Sequence, residues 1–281
     1  MSTARPAPGG LLELRLEHDS RGRTVVASRA QRFPLRMTVP MYLDGTDPDM
    51  AFIFVQNPTG AVFAGDELEV RIAAGEGTRA HITGQSATKI ARMDGGSARQ
   101  RLAFALAPHV YLEYLPDPII PQAGAQLEQR LEVELAHDAA FVTAETVGPG
   151  RRPLGERFAY ERLSFRTDVR RDGHSLCIDA LELEPRRRRP DAPGILGRHA
   201  YAGTVLAAAP EHDVEALAEA MHAALTARPD VLGAASVLPN GAGAGARVLS
   251  DSAPAARRAL VEVWRVARER LVGLPLPELR K

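Results

Sequence analysis

The sequence predicts a mainly β protein with two α-helices near its C-terminal end. Two observations support this class. Apolar and polar residues alternate over most of the first two-thirds of the chain, and the spacing becomes helical after about residue 208. Clusters of Gly, Pro, Asn and Asp, which favour turns, separate the alternating segments. The pattern fits a sandwich, a barrel or a solenoid. It contains no exact internal repeat, so a solenoid would be irregular.

The alternating segments are predicted to be short strands that bury one face. In residues 12–16, 68–72 and 131–135, Leu, Val or Ile alternates with Glu or Arg. Successive side chains of a strand point to opposite sides, so the apolar residues share one face. The last such segment spans residues 176–183. Its apolar residues are expected on the buried face: Leu176, Ile178, Ala180 and Leu183.

The two helices are predicted from apolar stripes at helical spacing. The first covers residues 211–227 and is stopped by Pro229. Ser252 is positioned to cap the second helix, with Pro254 in its first turn. Residues 232–246 are rich in Gly and Ala and are expected to be partly mobile. Both helices are expected to pack on the β body, although their stripes would also suit a partner protein.

We expect a single domain over residues 1–281, with a β body at about 11–208 and a helical part at about 209–275. Four consecutive arginines, residues 186–189, precede a Pro-rich stretch and are expected to form an exposed loop.

Composition argues against several classes of function. The 35 Lys and Arg balance the 35 Asp and Glu, whereas nucleic-acid binders carry a net basic surface. No stretch approaches the roughly 20 apolar residues that a membrane helix needs. Residues 1–10 lack the apolar segment of a secretory signal. The single cysteine, Cys177, cannot form an intrachain disulfide, so we expect a reducing, cytoplasmic setting.

Familiar catalytic motifs are missing. No Gly-Lys-Ser/Thr follows the glycines at 60 and 65, so a phosphate loop is excluded. No serine elbow is present, and the lone Ser86-x-x-Lys89 spacing lacks its companion motifs. None of the eight histidines pairs at the spacing of a helical zinc site.

Four carboxylates stand in apolar or turn-rich surroundings: Asp66, Glu113, Glu145 and Asp179. A buried carboxylate must be paired, hydrogen-bonded or metal-bound, or it takes up a proton. For each residue alone, a turn carboxylate bonded to backbone amides is the simpler interpretation.

Four ordered motifs resemble the UreD family of urease accessory proteins. They are Asn-Pro-Thr-Gly at residues 57–60 with Gly65-Asp66, residues 83–89, residues 112–121, and Gly-Arg-Arg-Pro-Leu-Gly-Glu at residues 150–156. The twelve motif residues with structural roles are Asn57, Pro58, Gly60, Gly65, Gln85, Lys89, Glu113, Pro116, Pro118, Pro121, Gly155 and Glu156. The chain is a divergent member, because four residues depart from the family pattern: Ala61, Ala64, Gly84 and Gln122.

The resemblance implies a β-helical, solenoid-like body with two C-terminal helices. It also implies a non-enzymatic scaffold that binds UreF directly, the GTPase UreG through UreF, and apo-urease. Nickel would pass through an internal polar channel and would not be held permanently. The channel residues carried over from the family are Asp66, Thr88, Glu145 and Asp179. The scarcity of cysteine fits transit, because thiolates hold nickel strongly.

Two alternatives remain at the level of the sequence. One is a β-rich hydrolase that uses Asp66 and Asp179 as acid and base, which requires both carboxylates in one open cleft. The other is a plain interaction module with no role in metal delivery.

Overall fold

The structure is a computed structural model that describes residues 9–278. The ends of the predicted domain, including most of the segment tested for a signal peptide, lie outside this range. Strands and helices are numbered in chain order: β1 (Gly10–His18), β2 (Thr24–Arg32), β3 (Arg36–Met37), β4 (Ala51–Gln56), β5 (Glu67–Ala74), β6 (Arg79–Gly84), β7 (Thr88–Ile90), β8 (Ala98–Leu106), β9 (Tyr111–Leu115), β10 (Ile119–Pro121), β11 (Gln126–Leu135), β12 (Ala140–Val147), β13 (Arg162–Arg171), β14 (His174–Leu183), β15 (Tyr201–Ala208), α1 (Val214–Thr226), β16 (Leu232–Val237), β17 (Gly243–Ser250) and α2 (Ala253–Val272).

The strands form two sheets. Sheet A has the order β14-β13-β11-β8-β5-β1-β2, and sheet B runs β16-β17-β15-β12-β9-β6-β4-β3, with β10 and β7 added beside β12. From β4 to β13 the chain alternates between the sheets, and each strand pairs in parallel with the strand one coil away. This arrangement is an irregular β-solenoid. It confirms the mainly β, solenoid-like fold class with two helices.

The main core lies between the two sheets and follows the predicted alternation. In β1, Leu12, Leu14 and Leu16 are buried, while Glu13 and Arg15 are not. Burying a Leu side chain contributes roughly 1.5–3 kcal/mol, so a ladder of such residues through successive coils holds the sheets together.

The two helices cover the outer face of sheet B. Phe52 and Val142 on that face belong to a second core with Met221 of α1 and Val263 of α2. Helix α1 begins at an Asp213 cap rather than at residue 211, because the Asp213 side chain accepts a hydrogen bond from the amide of Ala216. The predicted start of helix α2 is confirmed. Ser252 caps α2 and accepts a hydrogen bond from the amide of Ala255, and Pro254 lies in the first turn.

Two predictions about local structure were wrong. Residues 232–246 are not a mobile link, because β16 and β17 form an antiparallel hairpin there that extends sheet B. Small side chains suit this position, since an added Cβ on Gly245 would clash with Leu238. The predicted burial of β14 is also wrong at Ile178, which is 47% exposed, and at Ala180, while Cys177 is buried instead. Leu183 is buried as predicted.

The arginines at 186–189 are exposed, as predicted. Neither helix in the described part of the chain has the length and apolar character needed to cross a lipid bilayer.

Candidate functional site

The candidate site is a polar cluster between the two sheets, formed by Gln129, Glu145, Asp179, Thr204 and Arg247. These residues line a small cavity of about 20 Å³. The register of sheet B pairs Glu145 with Thr204 and Thr204 with Arg247, so the three stand in a row across β12, β15 and β17. Gln129 and Asp179 come from β11 and β14 of sheet A. The fold therefore unites Glu145 and Asp179, two of the predicted channel residues.

Hydrogen bonds and one ion pair hold this cluster together. Gln129 Nε2 donates to Glu145 Oε2 at 2.5 Å. Arg247 Nη1 donates to Thr204 Oγ1 at 2.5 Å, and its Nη2 donates to Asp179 Oδ1. The guanidinium compensates the charge of Asp179, whose side chain remains 24% exposed. The cluster thus offers carboxylate, amide and hydroxyl oxygens from both sheets.

Glu145 is held in an environment that favours its protonated form. Burial raises the pKa of Glu145 from 4.5 to about 7, and the negative charge of Asp179 adds to this effect. The hydrogen bond from Gln129 and the charge of Arg247 act in the opposite direction. An approaching cation would favour the ionised form, so this carboxyl can exchange a proton for a metal ion near neutral pH.

Thr88 lies in a separate cavity of about 100 Å³, which Gln85 and Lys89 also line. Its backbone is fixed in β7, where the Thr88 amide donates to the carbonyl of Pro118 at 2.9 Å. Tyr114 and Pro116 line both this cavity and the one at Glu145. These two residues therefore form the boundary between the Thr88 cavity and the interior cluster.

Asp66 lines neither cavity. It closes the turn before β5, where its Oδ2 accepts a hydrogen bond from the amide of Phe63 at 2.8 Å. Gly65, with a φ of 82°, supplies the left-handed residue of this turn. Asp66 precedes β5 and Asp179 lies on β14, and strands β13, β11 and β8 of sheet A separate the two. Neighbouring strands are about 4.8 Å apart, so the acid–base pair of the hydrolase alternative is not assembled.

A second buried polar network surrounds Glu113 on the helix-covered face of sheet B. Glu113 Oε1 accepts hydrogen bonds from Tyr111 Oη at 2.7 Å, Trp264 Nε1 at 2.9 Å and Arg268 Nη1 at 2.8 Å. Its Oε2 lies 2.7 Å from His81 Nδ1. Burial alone would raise the pKa of Glu113, but the hydrogen bonds of His81 and Tyr111 and the charges of His81 and Arg268 outweigh it and lower the pKa. These well-satisfied contacts attach α2 to the sheet.

Several other motif residues hold turns. Asn57 Oδ1 accepts a hydrogen bond from the amide of Thr59 at 3.2 Å. Glu156 forms an ion pair with Arg151 and also accepts a hydrogen bond from the amide of Ala123 at 3.3 Å. Three motif glycines have positive φ angles, which explains the choice of residue: Gly60, Gly65 and Gly155.

The remaining motif residues lie near the short parallel pair β7–β10. Lys89 is exposed on β7 and pairs with Ile120 of β10. Pro121 ends β10 and is buried. Pro58 lies in the turn after β4, and Pro116 and Pro118 lie between β9 and β10.

Gln129, Thr204 and Arg247 were not identified from the sequence. One signal was present: Gln129 takes an inward position of β11 between Leu127 and Leu131, where the pattern calls for an apolar residue. Thr204 and Arg247 carry no such signal. They reach the cluster through pairing between strands that are distant in sequence.

Comparisons with known proteins indicate the same family over nearly the whole chain. The model of the UreD urease accessory protein family matches residues 9–281. A urease accessory protein UreD from Haloarcula marismortui is 37% identical over 282 residues, covering 98% of this chain and 91% of the relative. A urease accessory protein UreD 2 from Streptomyces griseus subsp. griseus is 37% identical over 287 residues, covering 100% and 96%. A urease accessory protein UreD from Mycolicibacterium gilvum is 34% identical over 270 residues, covering 96% and 97%.

Proposed function

Because this chain belongs to the UreD family of urease accessory proteins, we propose that it is a non-catalytic maturation factor that helps to deliver nickel to apo-urease. The observation that carries the nickel role is the interior cluster of Glu145, Asp179 and their polar neighbours. This cluster lies between the two sheets around a small cavity, and its Asp179 and Arg247 side chains remain partly exposed to solvent. Nickel is the cargo in this proposal, not a resident cofactor.

The proposed partners follow from the family resemblance. The chain binds a UreF homologue directly, reaches the UreG GTPase through UreF, and docks on apo-urease. It acts in the cytoplasm, a setting that its free, buried Cys177 suits. Neither nucleic acid nor a membrane takes part, in keeping with the balanced charge.

The chemistry of the cluster suits transit. Carboxylate, amide and hydroxyl oxygens replace part of the water shell of a borderline divalent ion without the tight hold of thiolates. Arg247 limits the net negative charge, and the raised pKa of Glu145 allows a proton to return as the ion leaves. Passage between the two cavities requires Tyr114 to move, because Tyr114 and Pro116 form the boundary between them.

The first test is co-expression with the UreF and UreG homologues and apo-urease from the same source. A complex that copurifies and activates urease on addition of nickel and GTP supports the proposal. A folded chain that binds none of the three proteins would contradict it.

The second test separates metal delivery from scaffolding. We expect Asp179→Ala and Asp66→Ala to lower the nickel content of urease while the complex still assembles. The matched control is Asp168→Ala. Asp168 lies on β13 next to Thr167, which lines the Glu145 cavity, but its own carboxylate accepts a hydrogen bond from Ser175 Oγ on the exposed side of the sheet. Nickel content is measured by elemental analysis of purified urease.

Normal activation by both the Asp179→Ala and Asp66→Ala variants would leave the plain interaction module as the better description. Two features support that alternative. The Thr88 and Glu145 cavities are separate, and the Asp66 carboxylate accepts a hydrogen bond from the Phe63 amide within its own turn.

A further inference from the structure

One corner of the solenoid repeats the same turn in three successive coils. The register aligns Ala74, Leu106 and Leu135 at the ends of β5, β8 and β11. Three residues after each of these, the chain takes a positive φ: 68° at Gly77, 61° at His109 and 57° at Asp138. The coil repeat therefore stacks His109 against Asp138, although they are far apart in the sequence.

Three side chains with metal-binding atoms meet at this corner, and a fourth, His109, approaches one of them. Asp138 Oδ2 lies 3.5 Å from His109 Nδ1 and 2.8 Å from His137 Nδ1. Glu211 approaches from the segment before α1, and ligand atoms of His137, Asp138 and Glu211 all lie within 4.8 Å of one another. We name the group His109, His137, Asp138 and Glu211 the corner cluster.

We propose that the corner cluster binds a divalent transition-metal ion such as Ni²⁺ or Zn²⁺. Imidazole nitrogens combined with carboxylate oxygens suit borderline ions, whereas Mg²⁺ and Ca²⁺ prefer oxygen ligands alone. Two ligand atoms on a metal with bonds of about 2.1 Å lie about 3 Å apart. The 2.8 Å separation of His137 Nδ1 and Asp138 Oδ2 is close to this distance.

The exposure of the corner cluster suits reversible binding of a metal ion rather than permanent binding. His137 is 72% exposed and Glu211 is 37% exposed, so water completes the coordination shell. Arg171 Nη1 lies 2.6 Å from Glu211 Oε1, which leaves the second oxygen of that carboxylate for the metal. The neighbouring cation weakens binding further, and the ion is expected to remain exchangeable.

This inference does not depend on the proposed role in urease maturation. The corner cluster shares no residue with the interior cluster at Glu145. Its ligands come from the turns after β8 and β11 and from the segment before α1. Direct metal binding by the purified chain is therefore the appropriate measurement.

The experiment titrates NiCl₂ into the full chain carrying ¹³C-labelled histidine and records the imidazole signals. Paramagnetic Ni²⁺ broadens nuclei close to it. We expect substoichiometric Ni²⁺ to broaden the His109 and His137 signals before that of His222, which lies in the later turns of α1. His18 and His174 are not references, because His18 lies beside Gly77 of the same corner and His174 pairs with Arg171, which contacts Glu211. Equal broadening of all exposed histidines would overturn the proposal.

Calorimetric titration of variants provides the second measurement. His137→Ala combined with His109→Asn should weaken Ni²⁺ binding by roughly tenfold or more. Asn is chosen at 109 because it tolerates the positive φ. The control His222→Ala removes another exposed imidazole, on α1, and should leave the affinity unchanged.

The same titration distinguishes the two metal sites. Asp179→Asn should leave Ni²⁺ affinity at the corner cluster unchanged. Loss of binding in Asp179→Asn, with retention in the double histidine variant, would assign the ion to the interior and overturn the proposal. Circular dichroism of each variant verifies that the fold is intact.

Discussion

At the scale of single residues, Glu145 links the fold to the proposed chemistry. It lies on β12 but faces sheet A, where Gln129 donates a hydrogen bond to it and Asp179 repels its charge. The pKa of this carboxyl rises from 4.5 to about 7, mainly because burial disfavours its ionised form. Glu145 therefore binds a proton more tightly in the folded chain than in the unfolded chain.

A pH dependence of stability follows from this difference. Between pH 4.5 and about 7 the folded chain holds a proton on Glu145 that the unfolded chain releases, so the free energy of unfolding falls as pH rises. We expect Glu145→Gln to remove this dependence. Relative to the variant, the wild type should lose roughly 2–3 kcal/mol between pH 4.5 and pH 8.

Urea denaturation of the wild type and Glu145→Gln at both pH values measures the effect. Other titrating groups are common to the two proteins and cancel in the difference. Parallel stability profiles would show that Glu145 ionises at its ordinary pKa in the fold.

At the scale of elements, the close approach of β17 to β15 depends on a glycine. Gly243 has a φ of 142°, and a Cβ at this position would lie 2.0 Å from the carbonyl oxygen of Ala207. Neither backbone can move without breaking the ladder of sheet B. We expect Gly243→Ala to destabilise the protein by at least about 3 kcal/mol.

The matched control is Gly22→Ala. Gly22 also has a positive φ, of 82°, but an added Cβ would contact nothing within 4 Å. Only the backbone strain of about 1 kcal/mol remains. Thermal unfolding of both variants tests the difference, and equal destabilisation would contradict the proposed clash.

Helix α2 presents a contrast between buried and exposed ion pairs. Arg268 is fully buried and donates to Glu113, to Asp44 and to the carbonyl of Pro275. We expect Arg268→Ala to cost about 3–5 kcal/mol, because it leaves a buried carboxylate at Asp44 without its cation.

Arg265 on the same helix provides the comparison. It pairs with Glu262 and Glu269, and all three side chains are partly exposed. Arg265→Ala should cost less than about 1 kcal/mol, because solvent screens such pairs. Chemical denaturation of the two variants should therefore give clearly different midpoints. A similar midpoint for both would show that the Arg268 network adds little stability.

At the scale of the whole molecule, α2 protects an apolar face of sheet B. Val263 and Trp264 belong to the second core together with Phe52, Val142 and Val205. Removing residues 253–281 would expose that face to solvent. We expect the truncated protein to aggregate or to lose binding to the UreF homologue.

Size-exclusion chromatography and pull-down with the UreF homologue test this expectation. A truncated protein that stays monomeric and binds normally would show that the second helix is dispensable. The full chain, purified in parallel, is the control for both measurements.

The amino-acid sequence determined the class of fold and the residue at which helix α2 begins. Period-two alternation fixes which side chains of β1 and β5 face the core, because successive residues of a strand point to opposite sides. Ser252 and Pro254 set the start of α2 through contacts made within one turn. These signals depend only on residues that are close in sequence, so they could be recognised without the structure.

Tertiary structure decided the register and everything that depends on it. The solenoid brings Glu145 beside Asp179 and stacks His109 on Asp138, and no local spacing encodes either pairing. Residues 232–246 become a strand pair only because the edge strand β15 offers a partner for their backbone groups. Long-range pairing of strands is a property of the assembled sheets. The family resemblance supplied Glu145 and Asp179, but the other members of the two polar clusters emerged only from the fold.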